Sequence, residues 1–231
     1  MGNPRKQPQK SGPAAQHRPK NPQLLRITIL SDTTFSRGEG TAGAVDIEVE
    51  HDAYGLPLIG GKTVRGLLRD TWLSMAPHFE NLHDAAHRVL GASHALDDRC
   101  QLRIGDAHLT HSLRQPLHTA VTRSAAPFAP SAMLQGLTAI RHQTAEDRTT
   151  GAPATATLRS SRVAMRTLVF DAPLSWAATY QSSAEDKQVL ALCALATRHG
   201  GLLRNRGRGH LEITIDGDGD KTRKAAHPGG R

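Results

Sequence analysis

The stretch from Ser182 to Ile215, SSAEDKQVLALCALATRHGGLLRNRGRGHLEITI, decides how the rest of the chain is read. Ser182-x-x-Glu185 has the spacing of a capping box, in which a hydroxyl and a carboxylate satisfy the free amides of a helix start. Val189, Leu192, Cys193 and Ala196 then recur at three- and four-residue intervals, which predicts a helix to about His199. Gly200-Gly201 predicts its stop, because glycine takes the left-handed conformation of a helix C-cap without strain. After a glycine- and arginine-rich loop, His210-Leu211-Glu212-Ile213-Thr214-Ile215 alternates with the two-residue period of a strand.

Working back from there, Met165, Thr167, Val169, Leu174, Trp176 and Tyr180 predict one long strand, or two broken near Pro173. Gln101 to Leu109 alternates like a strand with a bulge at Gly105. Val64, Leu67, Leu68, Trp72 and Met75 form the stripe of an amphipathic helix from Thr63, ended by Pro77, and a short helix from Leu82 to Leu90 is stopped by Gly91. Leu24 to Leu30, between Pro22 and Ser31-Asp32, reads as the first strand. With the short helix set aside the order is β-α-β-β-α-β. That is the α+β plan of ferredoxin-like, or RNA-recognition-motif-like (RRM-like), domains, with two helices on one face of an antiparallel sheet. Residues 110–160 show no sustained period and read as a partly mobile inserted subdomain. The expected organisation is a disordered basic tail over 1–21, one domain over 22–216 with the insertion at about 110–160, and a second disordered basic tail over 217–231.

The 231 residues, 38% hydrophobic and 22% charged, exclude a fibrous or wholly disordered chain. No run reaches the roughly 18 apolar residues of a membrane span, and the basic N-terminus lacks an apolar signal core. Cys100 and Cys193 stand apart, which argues against a disulfide scaffold or zinc finger and for a cytoplasmic setting without membrane partners. The net charge of +8 sits in the two ends, since Arg5, Lys6, Lys10, Arg18, Lys20, Lys221, Arg223, Lys224 and Arg231 exceed it. Any nucleic-acid surface on the folded part is therefore a local patch. Between the ends there are 18 arginines against the lysines Lys62 and Lys187, a bias that suits planar phosphate recognition and that GC-rich codons also produce.

Four glycines and four arginines fall between Arg198 and Gly209. Gly201, Gly207 and Gly209 would let the backbone approach a polyanion, and Arg204, Arg206 and Arg208 would neutralise its phosphates. A second basic cluster opens the first helix, where Lys62, Arg65 and Arg69 stand near amides that favour an anion; a solvated helix face is the alternative. His83 and His87 have the spacing of a metal pair but lack a third ligand, so a polar helix face is the better reading. Aromatics are only 3% of the chain, too few for a base-stacking platform.

Taken together these segments resemble the RAMP superfamily, and within it the backbone subunits of type III CRISPR effectors, the Csm and Cmr group. The family's Pro-x-Ile-Pro-Gly-Ser-Ser-Leu-Lys-Gly-x-x-Arg helix start is similar to Pro57-Leu58-Ile59-Gly60-Gly61-Lys62-Thr63-Val64-Arg65-Gly66-Leu67-Leu68-Arg69. Its glycine-rich loop is matched by Gly200 to Gly209, and its Leu-Phe-Gly and Gly-Arg-Leu-x-x-x-Asp-Ala segments resemble Val89-Leu90-Gly91 and Gln101 to Ala107. Its Ile-Asp-Arg-x-Thr-Gly-x-Ala is similar to Glu146 to Pro153. The resemblance implies a ferredoxin-like core with an inserted thumb that binds crRNA in a cytoplasmic effector, beside copies of itself and other Cas subunits. It implies that complementary single-stranded target RNA is cut at Asp46, with Mg2+ or another divalent cation bound there, leaving a 2′,3′-cyclic end. Read alone, Asp46 in its acidic loop is a solvated surface residue, and Ile47-Glu48 replaces the family's Asn/Ser-Pro. A non-catalytic crRNA-binding subunit of the same assembly stays open. So does a stand-alone metal-dependent phosphodiester hydrolase using Asp46, Asp52 and histidines.

Overall fold

The computed structural model describes residues 21–36, 38–40, 45–92, 100–123 and 125–229. The expected N-terminal tail lies outside them apart from Asn21. In chain order the elements are β1 (Leu24–Ile29), β2 (Leu58–Ile59), α1 (Gly61–Met75), α2 (His83–Leu90), β3 (Leu102–Ile104), β4 (Ala107–Leu109), α3 (His111–Thr122), α4 (Pro130–Leu137), β5 (Thr138–Gln143), β6 (Arg159–Ala164), β7 (Val169–Trp176), α5 (Ala184–Ala196), β8 (Leu211–Ile215) and α6 (Gly219–Ala226). The main sheet runs β2-β4-β7-β1-β8 with β3 also on β7, and every pair is antiparallel. The fold is therefore α+β on an antiparallel sheet. β5 and β6 pair separately as a two-stranded ribbon.

Alternation builds the core. Leu25, Ile27 and Ile29 of β1, Phe170, Ala172 and Leu174 of β7, and Leu211, Ile213 and Ile215 of β8 are buried. On the other face Arg26 of β1 holds Asp171 of β7 at 2.8 Å. Val64, Leu68 and Trp72 of α1, Ala86 and Val89 of α2, and Val189 and Leu190 of α5 join the strand residues in one cluster. α5 buries Val189 through Ala194 without a break, so it has no solvent stripe of its own. Burial there pushes the Cys193 thiol up to about 12, which makes it inert.

Several expectations are corrected. Residues 101–109 form two short strands rather than one, because the facing residue on β7 is Pro173. The neighbouring N–H of Leu174 bonds Gln23 on the β1 side, and on the other side proline offers only its carbonyl, taken by the Gly105 amide at 2.9 Å. Pro173 does not break its own strand; the break comes at 165–168, where Thr167 turns with φ 78°. Residues 110–160 hold α3, α4 and β5, and Leu113, Leu117, Ala120 and Val121 of α3 pack on the core. Residues 217–229 are not a tail. Asp218 caps α6 through the Lys221 amide at 2.9 Å, Thr222 and Ala226 are buried, and Gln188 donates to the Ala226 carbonyl at 3.2 Å. No helix among the described residues is long and apolar enough to cross a membrane.

The cap of α5 is shifted by one residue from the sequence expectation. Ser183 accepts from the Asp186 amide, and the Asp186 carboxylate accepts from the Ser183 amide at 2.8 Å. Asp186 takes this place instead of Glu185 because the same fully buried carboxylate accepts from Arg88 at 2.9 Å and from the Tyr180 hydroxyl. Burial and Asp186 together raise the Tyr180 pKa. Asp186→Ala removes a cap and charge-assisted bonds at once, and is expected to cost about 3 kcal/mol in urea unfolding, with Glu185→Ala close to neutral.

Candidate nucleic-acid interface

The chain leaving β1 is held on both sides. Thr33, fully buried, exchanges backbone bonds with Ala164 of β6 at 3.2 and 2.8 Å and donates its hydroxyl to the Gly200 carbonyl at 3.1 Å. Thr34 accepts at its carbonyl from the Leu202 amide at 2.9 Å and donates its hydroxyl to the Arg162 carbonyl at 2.8 Å. The Gly209 amide bonds the Asp32 carbonyl at 3.1 Å. Residues 31–34 thus join the glycine loop to the ribbon.

This junction explains two of the glycines. Gly201 (φ 83°) and Gly209 (φ 72°) are left-handed, and a Cβ would run into Thr33 and Thr34 at Gly201 and into the Gly200 carbonyl at Gly209. Both are demanded by packing, whereas Gly207 (φ 76°) faces open space and keeps the exposed tip of the loop free of side chain. His199 stacks on His210 at the neck of the loop, ring centroids 5.2 Å apart.

The expected arginines separate. Arg208 reaches the ribbon and donates to the Ser161 hydroxyl at 3.1 Å. With Arg141 of β5 and Arg166 it lines a cleft of about 470 Å³, whose other walls are Leu30, Ser31, Asp32 and Gly207. Asp32 pairs with Arg141 at 2.6 Å. Arg206 is exposed on the same loop, while Arg204 turns away to an exposed pair with Asp70 at 3.2 Å. Arg65 is spent on the fold: its guanidinium donates to the Leu90 and Leu102 carbonyls and to Cys100 Sγ. Arg69 faces the groove between α1 and α2, beside Trp72 and His83. Lys62 is exposed on the first turn of α1, but the Gly61 amide there is not free to donate to an external anion, since it donates to Asp106 at 2.8 Å. Asp106 thus supplies the negative charge that the start of α1 favours. Arg141 and Arg166 were not legible: Arg141 is a single arginine in a segment without a clear period, and Arg166 stands among strand-predicting residues that do not single it out.

Asp46 lies along the outer edge of β6. Its amide bonds the Ser160 carbonyl at 3.1 Å, Ile47 bridges Ser161 in parallel, and Arg162 of β6 pairs with Glu48 at 2.7 Å. Asp46 Oδ2 accepts from the Ser160 amide at 2.6 Å and from the Ser160 hydroxyl at 2.9 Å. These two bonds, with Arg159 adding a smaller effect, hold the carboxyl below its ordinary value. Among the described residues no three His, Cys, Asp or Glu side chains come together as a metal site. With one Asp46 oxygen already taken twice, the described residues do not build a divalent-cation site. Asp52 holds a turn through the Tyr54 and Leu56 amides and pairs with Arg114 at 3.1 Å. His83 bonds the Ala76 carbonyl at 3.1 Å and meets Trp72 edge-on.

No family model matches the chain, and no curated protein matches it. Solved structures do. A chain of the Type III-B Cmr-beta complex in its apo state, determined by cryo-electron microscopy, superposes with a TM-score of 0.61 at 12% identity, covering 85% of this chain and 97% of that one. A chain of Type III-B Cmr-beta bound to cognate target RNA gives the same TM-score and identity, covering 89% of this chain and 99% of that one. At this identity the likeness is one of fold.

Gly209→Ala is expected to cost at least about 2 kcal/mol in thermal unfolding, from left-handed strain plus the carbonyl collision, and Gly207→Ala about 1 kcal/mol from strain alone. Asp46 has a depressed folded-state pKa, so its tether to Ser160 is complete above the ordinary carboxylate value of 3.8 and is lost only as pH falls through the lower folded value. The Ser160 amide resonance, followed by NMR, is expected to titrate with a midpoint below 3.8.

Proposed function

We propose that this protein is a crRNA-binding backbone subunit of a type III CRISPR effector, which engages complementary single-stranded target RNA and cleaves it beside Asp46. The observation that carries this reading is a fold match covering 97% and 99% of chains from Cmr-beta complexes. The strand order β8-β1-β7-β4, with α1 and α5 on one face, fits a ferredoxin-like core, and the α3-to-β6 segment between β4 and β7 corresponds in position to the inserted thumb.

In this reading Arg141, Arg166 and Arg208 grip the guide backbone in the cleft between loop and ribbon, and exposed Arg206 and Lys62 extend the track. Copies of the chain line the guide within a larger cytoplasmic assembly of Cas subunits. Asp46, ionised and fixed on the ribbon edge, stands where target strand laid along the ribbon would meet it. A second reading, a structural subunit that binds RNA without cutting it, is favoured by one feature: Asp46 Oδ2 is already engaged by Ser160.

The protein purified from its own host at moderate salt is expected to carry short RNAs sharing one repeat-derived end, and an RNA-free monomer from cells expressing the guide overturns the reading. The Arg141→Ala, Arg208→Ala double variant is expected to bind that RNA at least tenfold more weakly. The logarithmic slope of its affinity against salt should become shallower by about 0.7 for each phosphate that is no longer neutralised.

A further inference from the structure

The ribbon has two faces with different chemistry. In an antiparallel pair, directly opposed residues project to the same side and neighbours along a strand to opposite sides. Arg141 opposes Ser161, which puts Arg141 and the Arg208–Ser161 hydrogen bond on one face, turned to the cleft. His142 opposes Ser160 on the other face. Both backbone groups of Ser160 point away from β5, its carbonyl toward the Asp46 amide and its amide toward the Asp46 carboxylate. His142 and Ser160 are therefore a non-hydrogen-bonded pair, the kind in which facing side chains approach most closely. Ser160 Oγ is 2.9 Å from Asp46 Oδ2, so one serine separates an imidazole from the candidate catalytic carboxylate.

We propose that His142 is the proton-transfer residue for RNA cleavage at Asp46, an inference that rests on the cleavage reading above. The division of labour follows from the surroundings. Two hydrogen bonds from Ser160 stabilise Asp46 as the anion, which makes it a weak base but a good fixed charge. Arg159 and Arg162 have no acceptor, and Glu48 is paired with Arg162 at 2.7 Å. His142 is exposed and is of the residue type that exchanges protons near neutrality. Ile140, on the same face two residues away and 39% exposed, gives a nucleotide an apolar surface to rest on.

In the step itself a ring nitrogen of neutral His142 takes the proton of a ribose 2′-hydroxyl as that oxygen bonds to the adjacent phosphorus. The bond from phosphorus to the 5′-oxygen breaks, and the leaving oxygen takes a proton from water. The hydroxide so formed is neutralised by the imidazolium, which restores His142. The products are a 2′,3′-cyclic phosphate and a 5′-hydroxyl, and the Asp46 charge favours the transient imidazolium. Among the described residues, the polar and charged groups on the His142 face of the ribbon are Ser160 with Asp46 behind it and the Arg162–Glu48 pair next along that face.

The test is single-turnover cleavage of end-labelled complementary RNA by the effector purified with its guide, from pH 5 to 9, for the wild type, His142→Gln and Asp46→Ala. His142→Gln is expected to cut about 10² to 10⁴-fold more slowly with target affinity and melting temperature unchanged, and to lose the rise in rate between pH 5 and 8. Wild-type rate and pH profile in His142→Gln, with Asp46→Ala inactive, overturn the role of His142 and leave that of Asp46 standing. Full activity in Asp46→Ala, no cleavage by the wild type, or products ending in a 3′-hydroxyl overturn the cleavage reading and this inference with it.

Discussion

Thr33 and Thr34 are sealed from solvent between the glycine loop and β6, and their hydrogen bonds join parts of the molecule that no sheet connects. A buried hydroxyl or amide without a partner is costly, so these bonds leave little freedom in how the loop, the end of β1 and the ribbon sit together. The demands on sequence follow from that fit. Gly201 and Gly209 have no room for a Cβ because threonines and a carbonyl already occupy it. Glycines that in the sequence suggest an approach surface for RNA are in the main an approach surface for the protein's own backbone, which sets them apart from the arginines.

Those arginines divide by partner rather than by position in the sequence. Arg65 is consumed by carbonyls at the end of α2 and on β3, Arg88 by Asp186, and Arg162 by Glu48, each inside the fold. Arg141, Arg166 and Arg208 come from three separate segments to one cleft. A linear count of basic residues cannot separate the two groups, since what distinguishes them is whether folding draws the guanidinium into the interior or leaves it on an open cleft, where Arg141 still shares Asp32.

The order of strands and helices was legible because it rests on period: Leu25, Ile27 and Ile29 alternate, and Val64, Leu68 and Trp72 recur. α3 was not, since Pro116 and the histidines at 111 and 118 mask the stripe of Leu113, Leu117, Ala120 and Val121. α6 was missed for a different reason. Its inward face is small, Thr222 and Ala226 with half-buried Ala225, so composition reports a charged tail while one buried threonine, two alanines and one capping aspartate make a helix. At the site, Asp46 was singled out through family resemblance and not through its surroundings. Ser160 and His142 belong to a strand pairing that exists only once β5 and β6 have met.

The adjacent serines of β6 work in opposite directions, Ser160 toward Asp46 and Ser161 toward Arg208. Their separation is one of parity, odd residues on one side and even on the other. A single-residue insertion within β5 ahead of Arg141 would exchange that strand's two faces from there on, setting Arg141 opposite Ser160 in the place of His142. The tip from 144 to 158 lies beyond the two faces and is closed by a bridge of its own between Glu146 and Pro153. This arm can therefore lengthen or shorten freely at its end during evolution, but along its strands only in steps of two.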